Sequence, residues 1–374
     1  MIRIIAVQVR RVYPVMFILF ALFFPTVLLA TNHAPVITAE IIERLASVAR
    51  INFSDMPVEA GRMELGWFAL SADGARLAMS NREYELIVWN TIPPKQINTL
   101  SVTCLDGRGV GTLIDAVFYN NGRALVAAHA SMEGYYLAYY VVTSDLNTIL
   151  CSTEQVTPLR IWVGEAALTR PEVWLEYISN NPGEAASVQH STALMGLDSS
   201  QDVPVETLPS GPENDPESFL RIGRIEPPLA ITVTHDNLIK RWNLETGEVT
   251  ATAQLDELPG AGQMNATGRY FVWRDAEAAN LYMLDFETGE NRLIAPLSGT
   301  YIPFLLLTVD ADVAIGVNVG LEPVVVAWDT ATGERYDLGE YRACNRQPDM
   351  VRLSQDGTTL VIGCDTGLDI WRIA

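Results

Sequence analysis

Val324-Val325-Val326-Ala327-Trp328-Asp329-Thr330-Ala331-Thr332-Gly333-Glu334 is the stretch that decides the fold. Val324, Val326 and Trp328 fall on one face of an extended chain, and Val325 and Ala327 fall on the other. Both faces are apolar, so the strand is covered on both sides. Asp329 and Thr330 can satisfy backbone groups where the strand ends. Gly333 tolerates the positive φ of a compact hairpin. Taken alone, the stretch is one buried hairpin.

Three other stretches repeat it. Arg241-Trp242-Asn243-Leu244-Glu245-Thr246-Gly247-Glu248 has the same form, and Leu284-Asp285-Phe286-Glu287-Thr288-Gly289-Glu290 carries leucine in the tryptophan position. Trp371 stands in a final copy, followed by Arg372 rather than an acid. From Trp242 to Leu284, Trp328 and Trp371 the spacings are 42, 44 and 43 residues. A period of about 40–45 residues, with four strands in each unit, is the signature of propeller blades. On these residues the chain resembles the WD-repeat-like β-propeller family, in an exported, bacterial-type form. The resemblance covers roughly residues 45–374. It implies an all-β fold of four-stranded antiparallel blades that presents loop faces to a protein or peptide ligand. The chain departs from the family in one respect: no unit carries the Gly-His dipeptide that often precedes the first strand. The family's buried histidine network therefore does not transfer to this chain.

Blade one is expected from Trp67 onward, with strands at residues 67–72, 75–80, 86–90 and 96–102. Its first turn, Ser71-Ala72-Asp73-Gly74, recurs near the end as Ser354-Gln355-Asp356-Gly357. Blade two is expected from Asp115 to Cys151. Blade three is the least regular, with strands at 159–163, 172–178, 192–197 and 203–208. An Asn-, Pro- and Gly-containing insertion at 180–187 and a Pro- and acid-rich loop at 209–216 read as surface loops. Blades four, five and six take residues 219–256, 262–297 and 302–340. Blade seven supplies three strands, at 350–353, 359–364 and 368–372. Its fourth is expected from Ser47 to Phe53, which would close a seven-bladed ring and leave no open edge.

Ahead of the repeats, residues 1–14 contain Arg3, Arg10 and Arg11 and no acid, and Val15 to Ala30 is an apolar run interrupted by Pro25. That order matches the n- and h-regions of a signal peptide. A spanning helix needs about 20 apolar residues, so a membrane anchor is the alternative. The domain reading is a signal peptide at 1–30, an extension at 31–46 and the propeller at 47–374. The extension should hold a short helix over Thr38–Ala46, with Thr38 as its cap. The mature chain is expected outside the cytoplasm, secreted or periplasmic.

Removing residues 1–30 takes away three arginines and no acid, moving the formal net charge from −20 to −23. Such a surface repels nucleic acid and anionic lipid and favours basic or cationic partners. Four cysteines, Cys104, Cys151, Cys344 and Cys364, stand too far apart for a zinc or redox Cys-x-x-Cys pair. In an exported chain an even count points to disulfides, with three connectivities open. The blade assignment favours Cys344 with Cys364 and Cys104 with Cys151.

No catalytic constellation or cofactor motif stands out. The chain has no Gly-x-Ser-x-Gly elbow, no His-Glu-x-x-His helix, no phosphate-binding glycine loop and no EF-hand loop. Asp310 and Asp312 have no further ligand residues beside them, and acids so placed usually stabilise turns. Trp89, Trp242, Trp328 and Trp371 read as filler between blades. The binding candidates are loop residues joining second and third strands: Tyr84, Tyr135 and Tyr136 in blades one and two, and Arg274 and Glu277 in blade five. A binding or scaffold module fits these features. The alternative is a propeller hydrolase or lyase with its active site in the axial channel.

Overall fold

The computed structural model describes residues 34–55, 68–80, 86–100, 236–243, 248–297, 301–319, 323–341, 348 and 350–374, and mainly the strand segments between 112 and 233. A compact unit spans residues 35–374. The described residues form seven four-stranded sheets in which every pairing is antiparallel. Six sheets run in chain order: sheet one over residues 68–100, two over 112–154, three over 158–207, four over 218–254, five over 259–296 and six over 304–340. Sheet seven is assembled from both ends of the unit. Met350–Leu353, Leu360–Cys364 and Gly367–Ile373 are joined by Leu45–Asn52 at the outer edge.

Sheet six shows why these residues make strands. Its second strand, Val313–Val317, is buried at every position, and its third, Val324–Asp329, is buried from Val325 to Trp328. Its fourth strand, Arg335–Glu340, alternates and is mostly exposed. Burial thus falls from the inner strands to the outer one. First strands of neighbouring sheets touch one another in the series four, five, six, seven, one, two, three. Apolar layers fill the gaps between sheets. One joins sheets four and five through Ile231, Ile239, Phe271 and Leu284. Others join five to six, six to seven, and seven to one. Trp89, Trp328 and Trp371 belong to these layers, whereas Trp242 is half-buried outside them. Trp328 is 1% exposed and Trp371 is 2% exposed. A Cβ on Gly316 would meet the Trp328 ring at 2.9 Å, so glycine is what lets that ring lie flat on its own sheet.

The N-terminal segment differs from the sequence expectation. Instead of a helix over Thr38–Ala46, it forms a single 3-10 turn, Ile42–Arg44, without a side-chain cap, and the strand begins at Leu45. Thr38 contributes its backbone carbonyl to the Ile41 N–H. A helix nucleus is costly and needs length to propagate. Pairing of Leu45 and Ala46 with Ile373 and Arg372 takes the residues it would have used. Ile37, Ile42 and Leu45 insert into the layer between sheets six and seven. Ahead of the turn, Ile37 N–H donates to Gly357 O at 3.0 Å and Ala39 N–H to Asp312 Oδ2 at 3.0 Å. Two smaller shifts also occur. The third strand of sheet three is Val188–Leu194, earlier than 192–197, and the fourth strand of sheet one is Lys95–Leu100.

Outer strands carry β-bulges. Register slips beside Val48, Ile97, Thr250, Ile294 and Leu338, each on the fourth strand of its sheet. Bulges twist an edge away from further pairing and keep an outer strand from recruiting another chain.

Candidate binding face

Antiparallel order places the turns between strands one and two, and between three and four, at one end of the sheets. The hairpins between strands two and three, and the connections from one sheet to the next, lie at the other end. The two ends differ in how their side chains are used.

At the first end, one turn design recurs. Ser71 Oγ accepts from Arg76 N–H at 2.9 Å, Asn265 Oδ1 from Tyr270 N–H at 3.1 Å, Thr308 Oγ1 from Val313 N–H at 3.1 Å, and Ser354 Oγ from Thr359 N–H at 2.9 Å. Three residues after each acceptor the backbone is left-handed, at Gly74, Gly268, Ala311 and Gly357. Glycine fits that conformation without strain; Ala311 occupies it with φ 60°. Next to these turns, arginines reach the neighbouring sheet. Arg372 Nη2 donates to Gly74 O at 3.0 Å and Arg241 Nη1 to Gly268 O at 3.0 Å. Arg76 donates to Gly122 O and Arg292 to Thr330 O. These are clasps between sheets seven and one, four and five, one and two, and five and six. Burial lowers the Arg372 pKa, opposed by the charges of Asp356 and Asp73. Ion pairs also lie here: Arg269 with Asp285 and Glu287, and Arg335 with Asp337. The hydrogen bond from Arg269 holds the Asp285 carboxyl below its ordinary range.

The other end is acidic. Asp236, Asp256, Glu257, Glu277 and Asp365 are exposed there, and none takes part in those ion pairs. Backbone bonds hold the loops that carry them. Leu255 N–H donates to Asn237 O, Leu297 N–H to Ala279 O and Tyr341 N–H to Pro323 O. Asp275 at this end is instead buried, accepting from Ala279 N–H at 2.7 Å and from Asn280 Nδ2 at 3.0 Å, so it shapes the sheet-five hairpin. Tyr282 stacks on Trp273 with ring centroids 4.4 Å apart. Burial first, then the charges of Asp275, Glu257 and Asp256, push its hydroxyl pKa up. Tyr341 is pushed up to about 12 by burial, and its hydroxyl donates to Asn318 O at 2.9 Å. Tyr301 is 54% exposed, and Leu258 is also exposed.

The residues expected to bind are distributed unevenly. Glu277 lies in the exposed sheet-five hairpin as anticipated. Arg274 does not: it belongs to the strand Tyr270–Asp275 and is 7% exposed. Its Nε donates to Ile302 O at 2.9 Å and its Nη1 to Asp275 O at 3.1 Å. The strand runs two residues further than its apolar pattern suggests, because Arg274 pairs with Leu281 across the hairpin. Tyr135 and Tyr136 likewise fall within the strand Gly134–Val141, opposite Ala130 and His129, and not in a loop. Tyr84, Cys104, Cys151 and Cys344 lie outside the described residues. Cys364 is fully buried at the end of its strand and is disulfide-bonded. Asp312 serves the first-end turn, accepting from the Thr308 hydroxyl at 2.7 Å, and among the described residues no cluster of three or more metal-ligating side chains occurs. Sequence reasoning missed Tyr301, Asp256 and Glu257. All three sit in connections between sheets, where an exposed aromatic or a pair of acids was there to be read.

No protein-family model matches the chain, and no curated protein matches it. Among solved structures it is similar to the β-propeller domain of Cps50 (Swd1) from Myceliophteria thermophila, with a TM-score of 0.60. The match covers 88% of this chain and 100% of that domain at 9% identity. The fold is a β-propeller. At this identity the likeness speaks for the fold alone, and the WD-like repeats in the sequence agree with it. In propeller terms, the acidic end is the one that carries the loops between blades.

Proposed function

We propose that this protein is an exported, seven-bladed WD-repeat-like propeller that acts as a protein-binding scaffold, docking a basic protein or peptide on its acidic end. One observation carries the reading: Asp73, Asp285, Asp312, Asp329 and Asp356 at the clasp end accept from an arginine, hydroxyls or backbone amides, whereas Asp236, Asp256, Glu257, Glu277 and Asp365 at the other end face water. A one-sign surface attracts the opposite charge and speeds its encounter. Exposed Tyr301 and Leu258 add apolar contact area of the kind that anchors interfaces. The seven sheets are read as seven blades, with Leu45–Asn52 as the closing strand. The contact series from sheet four round to sheet three and the clasp from Arg372 to Gly74 support that closure.

Export follows from the charged and then apolar N-terminus. N-terminal sequencing of material recovered outside the cytoplasm should begin near Thr31; a start at Met1 would leave only the anchored form. The bonded state of Cys364 supports an oxidising compartment. Peptide mapping without reductant should join Cys344 to Cys364 and Cys104 to Cys151, and crossed pairs would contradict the blade assignment. The docking reading is tested by isothermal titration of residues 31–374 with a Lys-rich and a Glu-rich peptide of equal length. The Lys-rich peptide should bind, more weakly as salt rises, and the Glu-rich peptide should not.

A further inference from the structure

We propose that Gly260, Arg274 and Tyr301 form a carboxylate-binding subsite on the acidic end, suited to the free C-terminal carboxylate of a peptide. The inference rests on the docking reading above and gives the ligand a polarity.

Burial is where the argument starts. Arg76, Arg241 and Arg372 also donate to carbonyls, but they are only half-buried and so keep solvent access. Arg274 is 7% exposed, and its partners are two backbone carbonyls. No carboxylate lies within ion-pair reach of it among the described residues, and its Nη2 donates to none of them. A buried charge held by neutral dipoles alone is costly, and a carboxylate reaching it would gain a charge-assisted bond.

The backbone leaves an approach to this group. Pro259 pairs with Asp275 and Ala261 with Arg274, so Gly260 is the bulged residue between them. Gly260 is exposed, and a Cβ built on it would sit 2.8 Å from Arg274 Nη1. Any side chain there would cover the guanidinium; glycine does not. Bulges and strand glycines mark places where a ligand can come close to the backbone. Tyr301 completes the rim, with its ring centroid 5.4 Å from Arg274 Cζ. The ring fixes the guanidinium from one side and offers the rest of its surface to an incoming chain.

The surrounding charge selects the ligand. Glu277, Asp256 and Glu257 belong to the same end and repel a polyanion. A peptide that is basic along its length and ends in one carboxylate satisfies both features: its side chains meet the acids and its terminus meets Arg274.

The test uses a Lys-rich hexapeptide in two forms, with a free C-terminus and with a C-terminal amide, titrated calorimetrically into residues 31–374. The free acid should bind roughly tenfold more tightly. Arg274→Lys should abolish the difference, and Tyr301→Ala, a change at an exposed ring, should reduce it roughly threefold. Tyr301→Ala keeps the test decisive if Arg274→Lys does not fold. Equal affinity of the two forms for the wild type would overturn the subsite and leave the acidic docking face standing. If neither form binds, the docking face fails, and acetate titration at constant ionic strength then decides the subsite. A saturable shift of the Arg274 Nε–H resonance supports it, and no shift overturns it.

Discussion

The two ends of the propeller are built from similar residue types and use them differently. At the clasp end Ser71, Asn265, Thr308 and Ser354 close turns, Asp285 and Asp329 cap hairpins, and arginines tie one sheet to the next. At the other end backbone bonds, joined by the buried Asp275 carboxylate in the sheet-five hairpin, do the closing, and Asp236, Asp256, Glu257, Glu277 and Asp365 are left facing solvent. A carboxylate that holds a turn is occupied; one carried by a turn that is already held is available. That contrast, rather than the net charge, is what points to a docking face.

The largest expected effect comes from removing the N-terminal segment that completes sheet seven. Deleting residues 35–52 removes the outer strand of sheet seven and empties Ile37, Ile42 and Leu45 from the layer against sheet six. The chain should lose its cooperative thermal transition; an unchanged melt would show that sheet seven holds without them. Next is Gly74→Ala. Gly74 has φ 63°, and an added Cβ would overlap Thr359 of sheet seven. Destabilisation of about 2–4 kcal/mol by chemical denaturation is expected from left-handed strain together with a clash across the junction. Gly289 has φ 75° but nothing within 4 Å of an added Cβ. Gly289→Ala should therefore cost only about 1 kcal/mol, for the backbone alone, and equal effects at the two sites would remove the clash from the explanation.

The sequence carried much of this. Three tryptophans and a leucine at 42–44-residue spacing set the repeat, and Ser71-Ala72-Asp73-Gly74 with its copy at 354–357 identified the first turn. The same turn at Asn265 and Thr308 was hidden because any side-chain oxygen can accept the closing N–H, so the letters vary while the geometry does not. The helix expected over 38–46 failed because its apolar stripe serves a layer between sheets. Arg274 read as a loop residue because charge at a strand end looks the same whether it is solvated or bonded to carbonyls. Which acids are free cannot be read from composition at all: Asp285 and Glu277 differ only in what folds against them.

Acid titration should sharpen the contrast. Asp285 has a folded pKa below its unfolded value, so its contribution is present above the ordinary carboxylate range, about 3.9, and is lost as pH falls through the lower folded value. Asp285→Asn should thus flatten the acid limb of the stability curve, by no more than about 1 kcal/mol because Arg269 is partly exposed. The smallest effect on stability belongs to the other end. Changing Asp256, Glu257 and Glu277 together to Asn, Gln and Gln should leave the melt within about 0.5 kcal/mol of wild type.

That triple variant also provides the most direct test of the docking claim. Calorimetric titration of the Lys-rich peptide into wild-type and triple-variant protein, repeated at low and physiological salt, compares the two ends in a single assay. The expected result is salt-sensitive binding to the wild type that falls at least roughly tenfold in the variant, while the melt is preserved. Equal binding by both proteins would contradict a docking role for the acidic end.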